Sequence, residues 1–193
     1  VTPAGLSAVV VTRGNVPLEP ILDSFTAAGI FDFVVWDNSL RPDDLGVFGR
    51  YAALPECGRD IVLVQDDDVI LPAATIEALA AAYEPGRIVA NMPERFRKFY
   101  SDSCLVGFGA VFDRLLVDRT FDRFLESWDE KFLLRRPDVV FTALAESTWL
   151  DLPYTEREFA TGPDRAYRQK GHVQERQRVL AMARKARRTV IAS

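Results

Sequence analysis

"IVLVQDDDVILP", residues 61–72, decides how the rest of the chain is read. A short apolar run closes on Asp66, Asp67 and Asp68, so three mutually repelling carboxylates stand at a strand end packed against a core. Something positive that the neighbouring sequence does not supply is expected there. Hard carboxylates suit Mg²⁺ or Mn²⁺, and such ions keep coordination positions open for substrate phosphates. Because successive strand residues point to opposite faces, Asp66 and Asp68 can aim at one site while Asp67 points elsewhere. The competing reading is a turn and helix N-cap before Pro72, where aspartates also favour the helix dipole. One cap does not need three charges.

The same type of run recurs on either side. "LSAVVVT" (residues 6–12) is β-branched and bounded by the polar "RGN", which predicts a buried strand and a loop. "PLEPILDSFTAAG" follows with Ile21, Leu22 and Phe25 at helical spacing and Gly29 placed as a C-terminal cap. "FDFVVWDNS" (residues 31–39) is a second strand, completing a βαβ unit. The third strand is Asp60–Gln65, and Pro72 opens an alanine-rich helix expected to end near Gly86. "RIVANM", from Arg87, is a fourth strand. Continuous rather than alternating apolar runs suit a largely parallel sheet covered on both faces, so the fold class is open α/β.

Beyond residue 92 the pattern is less regular. "ERFRKFYSDSC" reads as a surface loop, "LVGFGAVFDR" as a strand or strand pair with Gly107 and Gly109, and "RLLVDRTFDRFLESW" as a helix. "PDVVFTALAE" has Pro137 fit for a first helical turn, with Asp138 beside it. Residues 151–171, punctuated by Pro and Gly, read as a long loop. A terminal helix from about Val173 carries Val179, Ala183, Ala186 and Val190 on one side.

At 193 residues, 48% of them apolar, the chain is the size of one well-cored domain, residues 1–193. No run of about twenty apolar residues and no signal-peptide order occur, so no transmembrane segment and a cytoplasmic location are expected. Cys57 and Cys104 lie far apart and outside any C-x-x-C pattern, so neither a zinc knuckle nor a disulfide framework is indicated. The net charge of −4 hides an asymmetry, because nine basic residues lie between Arg165 and Arg188. These form either a solvated helix face or a surface for nucleic acid, membrane or phosphates.

Ligands of open α/β sheets bind at the carboxyl ends of the strands. Three polar clusters are expected to converge there: Thr12-Arg13-Gly14-Asn15, Asp37-Asn38-Ser39 and the Asp triplet.

"FVVWDNS" followed by "QDDDVILP" resembles a GT-A glycosyltransferase, in which an Asp-x-Asp element binds a metal and the diphosphate of a nucleotide sugar. The order of elements is most similar to the exostosin-type hexosaminyltransferase domain: Val34 to Asn38, then Arg50, Asp66 to Asp68, Gly109 to Phe112, and His172 with Arg176. The resemblance implies a nucleotide-binding part over about residues 1–92 and an acceptor-side, closing part over about residues 93–193. It implies that Thr12 and Arg13 lie near the nucleoside, Asp37 and Asn38 near base or ribose, and Arg50 against the nucleotide or donor sugar. Asp66, with Asp67 beside it, would approach the ribose or sugar, and Asp68 would hold Mn²⁺ or Mg²⁺. Asp138 would stand near the anomeric centre, and His172 and Arg176 would close on the metal and diphosphate. The implied activity is transfer from a nucleotide diphosphate sugar, a UDP-sugar by expectation and with retention, to a glycan, lipid, protein or modified nucleic acid base. The stretch between Met92 and Gly107 is shorter than the acceptor-side region usual in that family, which leaves the acceptor open.

Each residue also has a plainer reading: His172, the only histidine, as a helix-start residue, Asp138 as a helix-start acid, Arg50 as a solvated side chain. Two other functions fit the same strand ends. A nucleotide-sugar-binding protein without turnover would tolerate loss of Asp138. A nucleotidyltransferase would carry a glycine-rich, lysine-containing loop after the first strand, where "TRGNVPLEP" offers one glycine and no lysine.

Overall fold

The computed structural model describes residues 1–98, 100, 103–157 and 170–189. The first βαβ unit forms as its sequence dictates. Strand β1 (Ser7–Thr12) is buried along its whole length, helix α1 spans Glu19–Ala27, and strand β2 spans Phe33–Asp37. Gly29, at φ +86°, ends α1: its N–H bonds the Thr26 carbonyl while that of Ile30 reaches back to Phe25. Those two bonds satisfy carbonyls that the helix end would otherwise leave open. A single turn, α2 (Gly49–Ala52), leads to β3 (Ile61–Asp66), the two-residue β4 (Val69–Ile70), α3 (Ala73–Ala81) and β5 (Arg87–Asn91). Then come α4 (Glu94–Arg97), β6 (Ala110–Asp113), α5 (Arg114–Leu125), α6 (Glu130–Arg135), α7 (Pro137–Leu144), β7 (Glu146–Leu150), β8 (Thr155–Glu156) and α8 (His172–Thr189).

Six strands make one sheet in the order β2–β1–β3–β6–β5–β7. All run parallel except β6, which lies antiparallel between β3 and β5. Strand alternation divides the core between the two faces. Val9, Val62, Val64 and Phe112 pack with Tyr51, Phe121, Phe141 and Val179 from α2, α5, α7 and α8. Ala8, Val10, Leu63 and Val111 pack with Ile21, Phe25, Ile76 and Leu79 from α1 and α3. The mixed α/β sheet with helices on both faces agrees with the open α/β expectation. None of the described helices is long and apolar enough to cross a membrane.

Several local expectations need correction. The helix after Pro72 stops at Ala81, before Gly86, because Asp113 takes both the Tyr83 hydroxyl and the Gly86 N–H and folds the chain toward β5. Residues 94–104, expected as loop, begin with α4. Strand β7 escaped prediction because "ESTWL" has no apolar run: among the described strands it lies at the sheet edge, exposed or half-buried throughout and paired with β5. Helix α8 starts at His172 and buries Val179, Ala183 and Ala186 as its spacing required. Val190, and residues 158–169 of the expected long loop, lie outside the described residues.

Candidate functional site

The register of the sheet brings the polar strand ends side by side: Thr12 is opposite Asp37, and Val11 opposite Asp66. On the β1–β2 side these groups are engaged with one another. Buried Thr12 accepts the Gly14 N–H through Oγ1 (3.1 Å). Gly14, at φ +69°, lies so close to the next loop that a Cβ there would come within 2.4 Å of Ser39 Oγ and 2.8 Å of Asp37 Oδ2. Asp37 accepts both the N–H (2.8 Å) and the hydroxyl (2.6 Å) of Ser39. Buried Asn38 accepts Trp36 Nε1–H (3.2 Å) and the Leu45 N–H (3.1 Å) and donates to the Gly46 carbonyl (3.1 Å), folding the following loop around itself. Arg13 projects outward, with Asp44 at 3.8 Å.

The β3 side is different in kind. Gly49 packs against the Trp36 indole, where a Cβ would lie 2.3 Å from Cδ1, and this close approach sinks α2 into the protein. The next residue, Arg50, has a side chain only 1% exposed. One Nη group donates to Asp66 at the end of β3, and Nη1 donates to Asp138 Oδ2 at 3.1 Å. Tyr51, also buried, donates its hydroxyl to Asp138 Oδ1 at 2.7 Å. Asp138 occupies the first turn of α7, behind Pro137 at the helix start, where the helix dipole favours a carboxylate. Both acids remain reachable, Asp66 with 32% and Asp138 with 31% of the side chain exposed.

Electrostatics tie the group together. Burial by itself would lower the Arg50 pKa, but the charges of Asp138 and then Asp66, with a smaller push from Asp68, hold it above its ordinary value. The guanidinium is therefore permanently charged. Burial, followed by the Asp138 charge, raises the Tyr51 phenol well above its ordinary value, so it acts as donor. Burial pushes the Asp138 carboxyl up, opposed by Arg50 and by the Tyr51 hydrogen bond. The Arg50 guanidinium is thus held directly by two carboxylates, Asp66 and Asp138, with Asp68 near enough to act on its charge.

The Asp triplet is a strand end and a turn, not a helix cap. β3 ends at Asp66, Asp67 and Asp68 form the turn, and β4 follows, so strand alternation does not extend to the last two acids. The N-cap of α3 is Pro72, without a side-chain cap bond. Asp66 packs against Gly107, whose carbonyl accepts its N–H (2.9 Å) and where a Cβ would lie 2.0 Å from Oδ2. Arg157, just after β8, clamps the turn. Its N–H donates to the Asp68 carbonyl (3.0 Å), and Nη1 donates to the carbonyls of Pro17 (2.6 Å) and Asp67 (3.3 Å).

A fourth wall comes from α8. Arg176 lies over the Tyr100 ring (4.5 Å) and donates to Ser103 Oγ (3.2 Å). Burial raises the Tyr100 phenol, against the Arg176 charge and with a further push from Asp138, which puts this pair within electrostatic reach of the cluster. Buried Cys104 is raised too, by burial and then by Asp138. His172, half-buried, opens α8. Other cations of α8 are seated on the protein itself, Arg178 over Phe132 (4.9 Å) and Lys185 over Trp128 (5.7 Å), so part of the basic end is an internal clasp rather than a solvated face.

The structure therefore unites Arg50, Asp66 and Asp138 directly, with Asp68 and Arg176 close by. Thr12, Asp37 and Asn38 shape the neighbouring loops, with Arg13 at the surface. Arg50, expected against the nucleotide, spends its Nη groups on two protein carboxylates. Among the described residues no group of three or more His, Cys, Asp or Glu is assembled to hold a metal ion. A lone carboxylate still fits Mg²⁺, which is commonly held by one or two carboxylates plus substrate phosphates. Tyr51, Tyr100 and Arg157 went unnoticed in the sequence, since none stands in a motif.

No protein-family model matches the chain, and no curated protein matches it either. Among solved structures it is similar to A197 from STIV, with a TM-score of 0.45 and 17% identity over 76% of this chain and 81% of that one.

Proposed function

We propose that the chain is a metal-dependent glycosyltransferase of the GT-A type that takes its sugar from a nucleotide diphosphate donor, with UDP as the expected nucleotide. The observation that carries this is the Arg50 bridge, which joins the partly exposed Asp66 and Asp138 at the carboxyl edge of the sheet, next to the turn that holds Asp68. Glycosyl transfer develops positive charge on the sugar ring and negative charge on the leaving diphosphate. Asp138, reachable and fixed in direction, suits the first of these as nucleophile, base or electrostatic partner. Arg176, with His172 a turn away, suits the second. Asp68 would hold Mn²⁺ or Mg²⁺, which when bound offsets charge on the diphosphate. Thr12, Arg13 and Asp37 line the side left for the nucleoside, and Asp66 and Asp67 lie between it and the sugar. A cytoplasmic setting belongs to the same proposal, supported by two free, buried cysteines.

One observation favours a second reading, nucleotide-sugar binding without turnover: both oxygens of Asp138 already accept a bond from the protein. Thermal melts with a panel of nucleotide diphosphates and their sugars, with and without Mn²⁺ or Mg²⁺, test the shared part. A ligand at a hundredfold excess over its dissociation constant stabilises by about 2.7 kcal/mol. The expected result is a metal-dependent shift with UDP that Asp68→Ala abolishes. Release of UDP from the stabilising UDP-sugar then separates transferase from binding protein, and no shift with any nucleotide defeats both.

A further inference from the structure

Asp138 receives its two hydrogen bonds from adjacent residues of a single helical turn. Arg50 Nη1 donates to Oδ2 at 3.1 Å and the Tyr51 hydroxyl to Oδ1 at 2.7 Å. One donor would leave a carboxylate free to swing about the bond, whereas two donors on different oxygens from one rigid turn fix both its place and its plane. The turn is itself fixed. Gly49 lies against Trp36, Arg50 is anchored by Asp66, and the Tyr51 ring packs edge-on against Phe121 (5.0 Å between centroids) and Phe141 (5.6 Å). A phenylalanine would fill this apolar cluster as well as tyrosine does. What the hydroxyl adds is the bond to Asp138. An ionised carboxylate has roughly four lone-pair sites, so each Asp138 oxygen keeps capacity for a substrate.

We propose that Tyr51 is a positioning residue for Asp138: together with Arg50 it fixes the carboxylate plane that Asp138 presents to the reacting carbon of the donor sugar, an inference that rests on the transferase reading above. Misplacement of a reacting group by a fraction of an ångström lowers turnover without altering the remote contacts that bind substrate. Loss of the hydroxyl therefore weakens kcat and spares KM.

The test is Tyr51→Phe, compared with wild type in four measurements: melting temperature, the Mn²⁺-dependent shift with UDP, UDP release from the UDP-sugars of the panel, and titration of the Asp138 carboxyl by ¹³C NMR in the free protein. Expected are a melt lowered by a few degrees at neutral pH, as loss of a hydrogen bond to a carboxylate requires, an unchanged UDP shift, and kcat lower by about tenfold or more at unchanged KM. Among the described residues, the groups that act on Asp138 are Arg50 and Tyr51 from α2, Asp66 from β3, and Tyr100 and Cys104 from the segment before β6. Of these only Tyr51 changes, and its hydroxyl lowers the Asp138 pKa, so the carboxyl midpoint and the acid limb of kcat both move to higher pH. A Tyr51→Phe protein with wild-type kcat, or with an unmoved Asp138 midpoint, overturns the role. A melt far below wild type assigns the hydroxyl to folding and also overturns it. A wild type that shifts with UDP but releases none from any sugar sinks the transferase reading and this role together, whereas an active wild type with an equally active variant sinks this role alone.

Discussion

The two halves of the sheet's carboxyl edge are built from bonds of very different reach. On the β1–β2 side the partners are near in sequence: Thr12 with Gly14 and Asp37 with Ser39 two residues apart, Asn38 with Gly46 eight apart. On the β3 side Arg50 joins Asp66 across 16 residues and Asp138 across 88, and Arg157 reaches Pro17 across 140. Local polar groups satisfy one another and so set loop shape. Charges brought together from distant segments instead build a cluster at a partly exposed edge, where a ligand can reach the acids.

Removing the centre of the long-range half has the largest expected effect. Arg50→Met removes the guanidinium that pairs with both Asp66 and Asp138. Breaking a buried pair from one side costs about 3–5 kcal/mol, with the lower end expected because both acids reach solvent. Urea unfolding measures it, and adding Asp138→Asn to Arg50→Met should restore part of the loss; a single variant as stable as wild type would show the bridge to be incidental. Asn38→Ala attacks the local half. It removes a buried side chain that makes three hydrogen bonds, at a cost of about 1–3 kcal/mol, and should loosen residues 38–48 while leaving Mn²⁺–UDP binding weakened but present. Hydrogen exchange across that loop checks this, and complete loss of UDP binding would place Asn38 among the ligand's direct partners. The smallest change is Arg13→Ala, whose pair with Asp44 is exposed and contributes under about 0.5 kcal/mol. Its stability should be that of wild type, and its UDP affinity lower and less dependent on salt if the guanidinium meets the nucleotide.

The same contrast governs what the sequence made legible. Four apolar runs, the Gly29 cap and the α8 stripe of Val179, Ala183 and Ala186 are local patterns, and they form as their spacing predicts. Strand β7 was hidden because an edge strand has no continuous apolar run to show. In the site, strand-end position made Asp37, Asn38 and the Asp triplet conspicuous, whereas resemblance to a known family singled out Arg50, Asp138 and Arg176. Tyr51 could not be seen, because its partner is 87 residues away and nothing local distinguishes a tyrosine that packs from one that also donates. The burial of Arg50 was likewise invisible, since it depends on Gly49 against Trp36 and on two acids supplied from elsewhere.

The reach of the Arg50 bridge also orders events in time. A loop of 88 residues is slow to close compared with a hairpin or a helical turn, although its entropic cost grows only slowly with length. The βαβ unit and the Arg50–Asp66 pair can form while α7 is still undocked, but Asp138 arrives only with α7, bringing Phe141, one of the rings that encloses Tyr51. Any fragment ending before α7 would present the Asp triplet and Arg50 without the acid that completes them. A fragment ending before α7 therefore cannot show the candidate site, whereas a chain that shows it intact has brought together segments 88 residues apart.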